Sequence, residues 1–197
     1  MEEALDVAAF DQAWTRHWPN SEPFGHRLRT SASPTWVRFH SLPESKRYAS
    51  DDIEYEEVLL RHRTLLRELC ATTATSTDDL RVITLSGSET PEPAERDGRL
   101  AAAFPRAEHW KSLPYDNGVP VDDGWLVHLY LTSTALDADD LRALLLLVAD
   151  DVTEGVIIAP PGVEWLYHPY DGGGDVIAPD VATRLRLQKR HAAWLPS

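Results

Sequence analysis

The chain has 197 residues, about one domain's worth, and with 43% apolar and 26% charged residues its composition is that of a packed globular protein, which excludes a disordered chain. Its 32 acidic and 19 basic residues leave a formal charge of -13. That balance repels DNA and RNA, and it suits either plain solubility or capture of a basic protein. A single cysteine, Cys70, excludes an internal disulfide and fits a reducing cytoplasm; the acidic opening residues and the short longest apolar run, 144–149, speak against a secretion signal and a membrane span.

Val7, Phe10, Trp14 and Trp18 recur at three and four residues, one apolar stripe of a helix that ends before Pro19. A loop with Pro19, Pro23 and Gly25 follows. Residues 35–42 alternate Trp36, Arg38 and His40 against Val37, Phe39 and Ser41, the period of a strand. Ser50, Asp51 and Asp52 mark a helix start, and the stripe Tyr55, Leu59, His62, Leu66 and Leu69, widened by Val58 and Leu65, carries the helix to about Cys70. His62 falls on that stripe and reads as a core histidine. Residues 80–85 alternate again, so strand, helix and strand are expected to form a β-α-β unit with parallel strands.

Prolines, glycines and acids make 86–98 an exposed loop, followed by a short helix near 99–104. Residues 108–113 and 125–134 read as strands of a hairpin, joined by an exposed loop at 114–124. Asp137 is placed to cap a helix whose deepest face is Leu141, Leu144, Leu145 and Val148. Short strands are expected at 156–159, 164–168 and 175–178. Asp180 then caps a last helix with the stripe Val181, Leu185, Gln188, Ala192 and Leu195. These elements describe one α+β or α/β domain over 1–197, a mixed sheet of about five or six strands packed with helices.

Two stretches carry chemistry. In the first, 38–48, Arg38, Lys46 and Arg47 supply anion-binding donors and His40 titrates near neutral pH, just before a helix N-terminus. In the second, 165–175, His168 stands with Asp171 or Asp175 as an acid-base pair, and Tyr170, Gly172, Gly173 and Gly174 form either a loop that hugs a ligand or a tight turn. A structural reading stands beside each: strand alternation alone places Arg38 and His40 on a wet sheet face, and glycines between strands reverse the chain. If both stretches lie at one sheet edge, His40 and His168 converge on one cleft. No His-Glu-x-x-His, paired-cysteine, nucleotide-loop or Gly-x-Ser-x-Gly pattern is present, so neither a metal nor a cofactor is expected.

The run Trp36-Val-Arg-Phe-His-Ser-Leu-Pro-Glu-Ser-Lys-Arg-Tyr48 with the helix behind it, and the run Trp165-Leu-Tyr-His-Pro-Tyr-Asp-Gly-Gly-Gly-Asp-Val-Ile177, together resemble a bacterial domain family of unknown function. The segments Val148-Ala-Asp-Asp151 and His191-Ala-Ala-Trp194 share the resemblance, which therefore spans most of the chain in order. It implies that both stretches belong to one unit, and it brings no reaction, cofactor or catalytic residue with it. Three functions stay open: an acidic cytoplasmic module that binds a basic protein, in the manner of immunity proteins; an enzyme on a small anionic or phosphorylated substrate, with His40 or His168 as acid-base; and a structural subunit without a site. A concave pocket joining the two stretches would favour the enzyme, and a broad acidic or apolar patch the binder.

Overall fold

The computed structural model describes residues 5–32, 34–115 and 124–196. Among them the chain forms α1 (Val7–His17), α2 (Gly25–Ser31), β1 (Trp36–His40), α3 (Asp52–Thr73), β2 (Leu80–Ser88), α4 (Gly98–Ala103), β3 (Glu108–Pro114), β4 (Leu126–Thr134), α5 (Asp139–Ala149), β5 (Ile157–Ala159), β6 (Leu166–Tyr170), β7 (Gly173–Ile177) and α6 (Val181–Arg190). The loop expected at 114–124 falls mostly outside the described residues.

All seven strands form one sheet in the order β1-β7-β6-β5-β2-β4-β3, and every neighbouring pair is antiparallel. The domain is thus α+β, and the expectation of a mixed sheet of five or six strands is corrected to an antiparallel sheet of seven. β1 and β2 do run in the same direction, but β7, β6 and β5 lie between them. A strand-helix-strand pattern leaves open how many strands intervene. Here α3, 22 residues and roughly 33 Å long, is long enough for a crossing of four strand positions, about 19 Å.

Alternation along the strands sends side chains into two separate cores. Val37, Phe39, Val82, Ile158, Tyr167 and Val176 pack under α3, α5 and α6, with Leu59, Leu66, Leu69, Leu144 and Val148 pressed onto them. The opposite face carries Ile83, Leu129, Leu131, Ile157, Leu166 and Ile177 against Phe10 and Trp14 of α1 and against Phe24 and Leu28 at α2. Phe10, Trp14 and Trp110 meet edge-on or tilted at 5.1 to 6.4 Å, and Trp110 donates to Asp11 at 2.8 Å, tying α1 to β3. β3 is an edge strand with a register shift between His109 and Lys111, a feature that discourages pairing with another chain.

Caps follow the expected chemistry at two helix starts: Asp51 accepts from Glu54 N and Asp180 from Thr183 N. Two expectations fail locally. Asp137 does not cap α5; it pairs with Arg67, while Asp140 accepts from Leu141 N and from the Thr134 hydroxyl. In α6 the buried residues are Thr183 and Leu187, and Val181 and Leu185 face solvent, so the inward stripe lies on the other side of the helix from the expected one. Arg186 of α6 bonds Thr72 and its neighbours Arg190 and His191 bond Glu68, which hold the helix against α3 in that rotation.

Candidate functional site

The β6-β7 hairpin is the centre of the site. Its loop is Asp171 and Gly172, so the turn reading describes the backbone, and Gly173 and Gly174 already belong to β7. None of the three glycines has a positive φ; among the described residues the left-handed glycines are Gly124 and Gly155. Close approach explains the pair in β7. A Cβ on Gly173 would sit 2.0 Å from the Phe39 carbonyl oxygen, and one on Gly174 would sit 2.2 Å from the Tyr167 hydroxyl. The bare backbone at Gly174 lets the Tyr167 ring lean across and reach His62 Nδ1 at 2.5 Å in the closed core. Burial pushes His62 down to about 4, and its Nε2 is buried without a hydrogen-bond partner among the described residues.

Strand pairing sets Arg38, Asp175 and His168 in one row across β1, β7 and β6. Arg38 grips Asp175 through two bonds of 2.7 and 2.9 Å, and its guanidinium lies 4.8 Å from the centre of the Tyr170 ring. Past the end of β1 the chain takes a tight turn with Glu44 and Ser45 in the left-handed region, which turns Arg47 back onto the hairpin. Arg47 Nε binds Asp171, and a hydrogen bond to the same carboxylate holds the Tyr48 phenol above its ordinary range. The two stretches therefore meet through Arg38–Asp175 and Arg47–Asp171.

The candidates separate in space. Lys46 turns away and binds Glu54 and Ser50 at the start of α3. His40 sits opposite Gly173, its carbonyl accepts from Arg61, and it does not border the cleft described next. His168, Tyr170, Asp171 and Arg47 do border it.

That cleft, of about 450 Å³, opens at the sheet end where β2 and β6 finish. Its other walls come from four places that the sequence reading did not connect: Phe24, Gly25 and His26 at the start of α2; Leu85 and Gly87 of β2 with Val127 of β4; Tyr115 and Trp125; and Asp151, Thr153, Glu154 and Gly155 after α5. Two of its glycines are seats for rings, since a Cβ on Gly25 would lie 2.3 Å from the His168 imidazole and one on Gly87 would lie 2.7 Å from the Trp125 indole. Asp151 and Gly155 both have positive φ, so the segment after α5 bends sharply around the rim. The nearest local signal for this half of the site is the Asp-Asp-Val-Thr-Glu-Gly run at 150–155, which reads equally well as a solvated turn.

Electrostatically the cleft is acidic. Asp151, Glu154 and Asp171 face a single lining arginine, Arg47, which Asp171 already engages. Asp151 and Glu154 make no ion pair among the described residues. Burial lowers the His168 imidazole; burial and then the Arg27 charge lower His26, so both rings favour the neutral form at neutral pH. Burial also pushes the Tyr170 phenol up to about 12.

Other polar groups are spent on one another. A hollow of about 570 Å³ between α3 and α5 has Tyr55 bonded to Asp150 and Arg142 to Glu56. Ser88, His128, Ser112 and His109 form a chain of contacts of 2.7 to 3.0 Å across β2, β4 and β3, with His128 fully buried, and none of the four borders either hollow described above. No group of three or more His, Cys, Asp or Glu among the described residues could hold a metal ion, and no described helix is long and apolar enough to cross a membrane.

Neither the curated proteins nor the solved structures contain a match to this chain. The match to a known family begins at Phe24, the first residue of the cleft wall, and takes in both stretches of the hairpin site while leaving α1 outside. Over residues 24–197 the chain belongs to the family described as a domain of unknown function (DUF3885).

Proposed function

We infer that this protein is a binding module that holds a basic protein partner by drawing one of its cationic groups into the cleft at the β6-β7 hairpin, as immunity proteins hold the proteins they neutralise. The observation that carries this reading is the pair of unbridged carboxylates, Asp151 and Glu154, in a cleft whose single lining arginine is already engaged. The formal charge of -13 adds long-range attraction for such a partner and repels acidic competitors.

An enzyme acting on an anionic substrate draws less support from the same geometry. Its three proposed clamps are taken, Arg38 by Asp175, Arg47 by Asp171 and Lys46 by Glu54. An incoming phosphate would have to displace a carboxylate in each case, and at Arg47 it would also meet Asp151 and Glu154.

Fluorescence anisotropy tests the reading with a labelled Gly/Lys/Arg peptide and its Gly/Glu counterpart, against wild type and an Asp151→Asn/Glu154→Gln double variant. The basic peptide is expected to bind wild type and to lose most of its affinity for the double variant, and the acidic peptide to bind neither. Equal affinity of the basic peptide for wild type and double variant would sink the cleft as the binding site.

A further inference from the structure

Resting on that reading, we propose that the inner part of the cleft is an arginine subsite, in which the guanidinium of a partner's arginine side chain donates to His168 Nε2 and to the carboxylates of Asp151 and Glu154. The His168 side chain is more than nine-tenths buried, and its Nδ1 lies 2.7 Å from the Val156 carbonyl oxygen. A carbonyl can only accept, so Nδ1 carries the proton and Nε2 of the neutral ring holds a lone pair. Nε2 has no partner among the described residues, and it is not one of the polar atoms sealed from solvent. A buried ring whose one free atom is an acceptor at a cleft wall calls for a donor in that cleft.

The neighbouring polar groups call for the same thing. Carboxylates only accept, and the cleft offers an incoming anion no unengaged arginine. An occupant that pairs with Nε2 and with these carboxylates therefore brings both donors and positive charge.

Shape and stacking choose between the two protein cations. Trp125 lines the cleft, 41% exposed and seated on the bare backbone of Gly87, so an aromatic side chain is part of the wall. A guanidinium is flat, weakly hydrated and carries five donors in a fixed fork, whereas an ammonium is a strongly hydrated point charge. Beside the cleft the protein already stacks arginines on rings in this way, Arg38 on Tyr170 and Arg27 at 5.0 Å from Phe24. About 450 Å³ accommodates an arginine side chain together with the residues on either side of it.

The test titrates N-acetyl-arginine amide, N-acetyl-lysine amide and the uncharged N-acetyl-citrulline amide into the full chain by calorimetry. Wild type is expected to favour the arginine compound over the lysine one by at least about fivefold and to bind the citrulline compound weakly or not at all. Glu154→Gln is expected to weaken the arginine compound by about fivefold or more, and His168→Gln to weaken it again, with circular dichroism unchanged in both. Glu154 is exposed, so its variant keeps the test valid even where His168→Gln fails to fold. Equal binding of the arginine and lysine compounds, or indifference to Glu154→Gln, overturns the arginine subsite. If that happens while the basic peptide still depends on Asp151 and Glu154, the binding module survives without the subsite; if peptide and amides all fail to bind, both fall together.

Discussion

The two faces of this sheet are made by the same strands and yet end differently. One face lies under α3, α5 and α6 and is closed, with Leu66, Leu69, Leu80, Leu144 and Tyr167 wholly buried. The other lies under α1 and α2, of 11 and 7 residues, roughly 16 and 10 Å long. β2 and β4 have nine residues each and run about 30 Å, so those helices cannot cover their whole length. Leu85, Gly87 and Val127 lie toward the end that α1 and α2 do not reach, and the cleft forms there. Both faces carry a core, and on the second the helices are too short to reach the strand ends where the cleft lies.

The largest effect expected on the closed face is acid destabilisation through His62. Its folded value is near 4 against an ordinary 6.5, so below 6.5 the unfolded chain binds the proton more readily and stability falls with pH until about 4. The loss amounts to about 3 kcal/mol across that window. Urea unfolding at several pH values should show a flatter profile for His62→Gln than for wild type, and parallel profiles would remove His62 as the cause.

Two glycines sharpen the contrast between the faces. Gly174→Ala and Gly25→Ala create similar overlaps, with Tyr167 and with His168. Tyr167 is walled in on all sides, while His168 borders the cleft and has space to swing into. Gly174→Ala is expected to cost about 2 kcal/mol and Gly25→Ala about 1 kcal/mol, with the second instead disturbing ligand binding. Equal costs by urea denaturation would show that the cleft side is packed as rigidly as the core. At the small end, the Asp151→Asn/Glu154→Gln double variant should shift stability by no more than about 0.5 kcal/mol, because both residues are exposed and make no ion pair among the described residues; a larger loss would make them structural. Cys70, buried on the closed face with its thiol pushed up to about 11, should react with a disulfide reagent only at the rate of unfolding. Rapid modification in the native state would mean that this face opens.

Much of the chain's local organisation is legible residue by residue. The 3.6-residue stripe of α3 and the alternation of β1 reappear as expected, because each records which side chains share a face. α2 is not legible: in Gly25–Ser31 only Leu28 marks an inward side, and it becomes a helix by packing Phe24 and Leu28 into the second core. α6 misleads for a related reason, since polar anchors on Thr72 and Glu68 decide its rotation where the apolar pattern pointed elsewhere. In the site, the 165–175 stretch is visible as His168, Tyr170 and three glycines, whereas Gly25 and Trp125 carry no local sign of a shared cleft, and the run with Asp151 and Glu154 reads equally well as a solvated turn.

By itself the sequence determined the kinds of element, most of their inward faces, the acidic field and two polar stretches worth following, because periods of 2.0 and 3.6 and net charge are written locally. Only the tertiary structure decided that β7, β6 and β5 stand between β1 and β2, that Arg47 closes on Asp171, and that a cleft sits at the sheet end where β2 and β6 finish. Strand partners are chosen by contacts between residues far apart in the chain, and a cleft is the space those contacts leave.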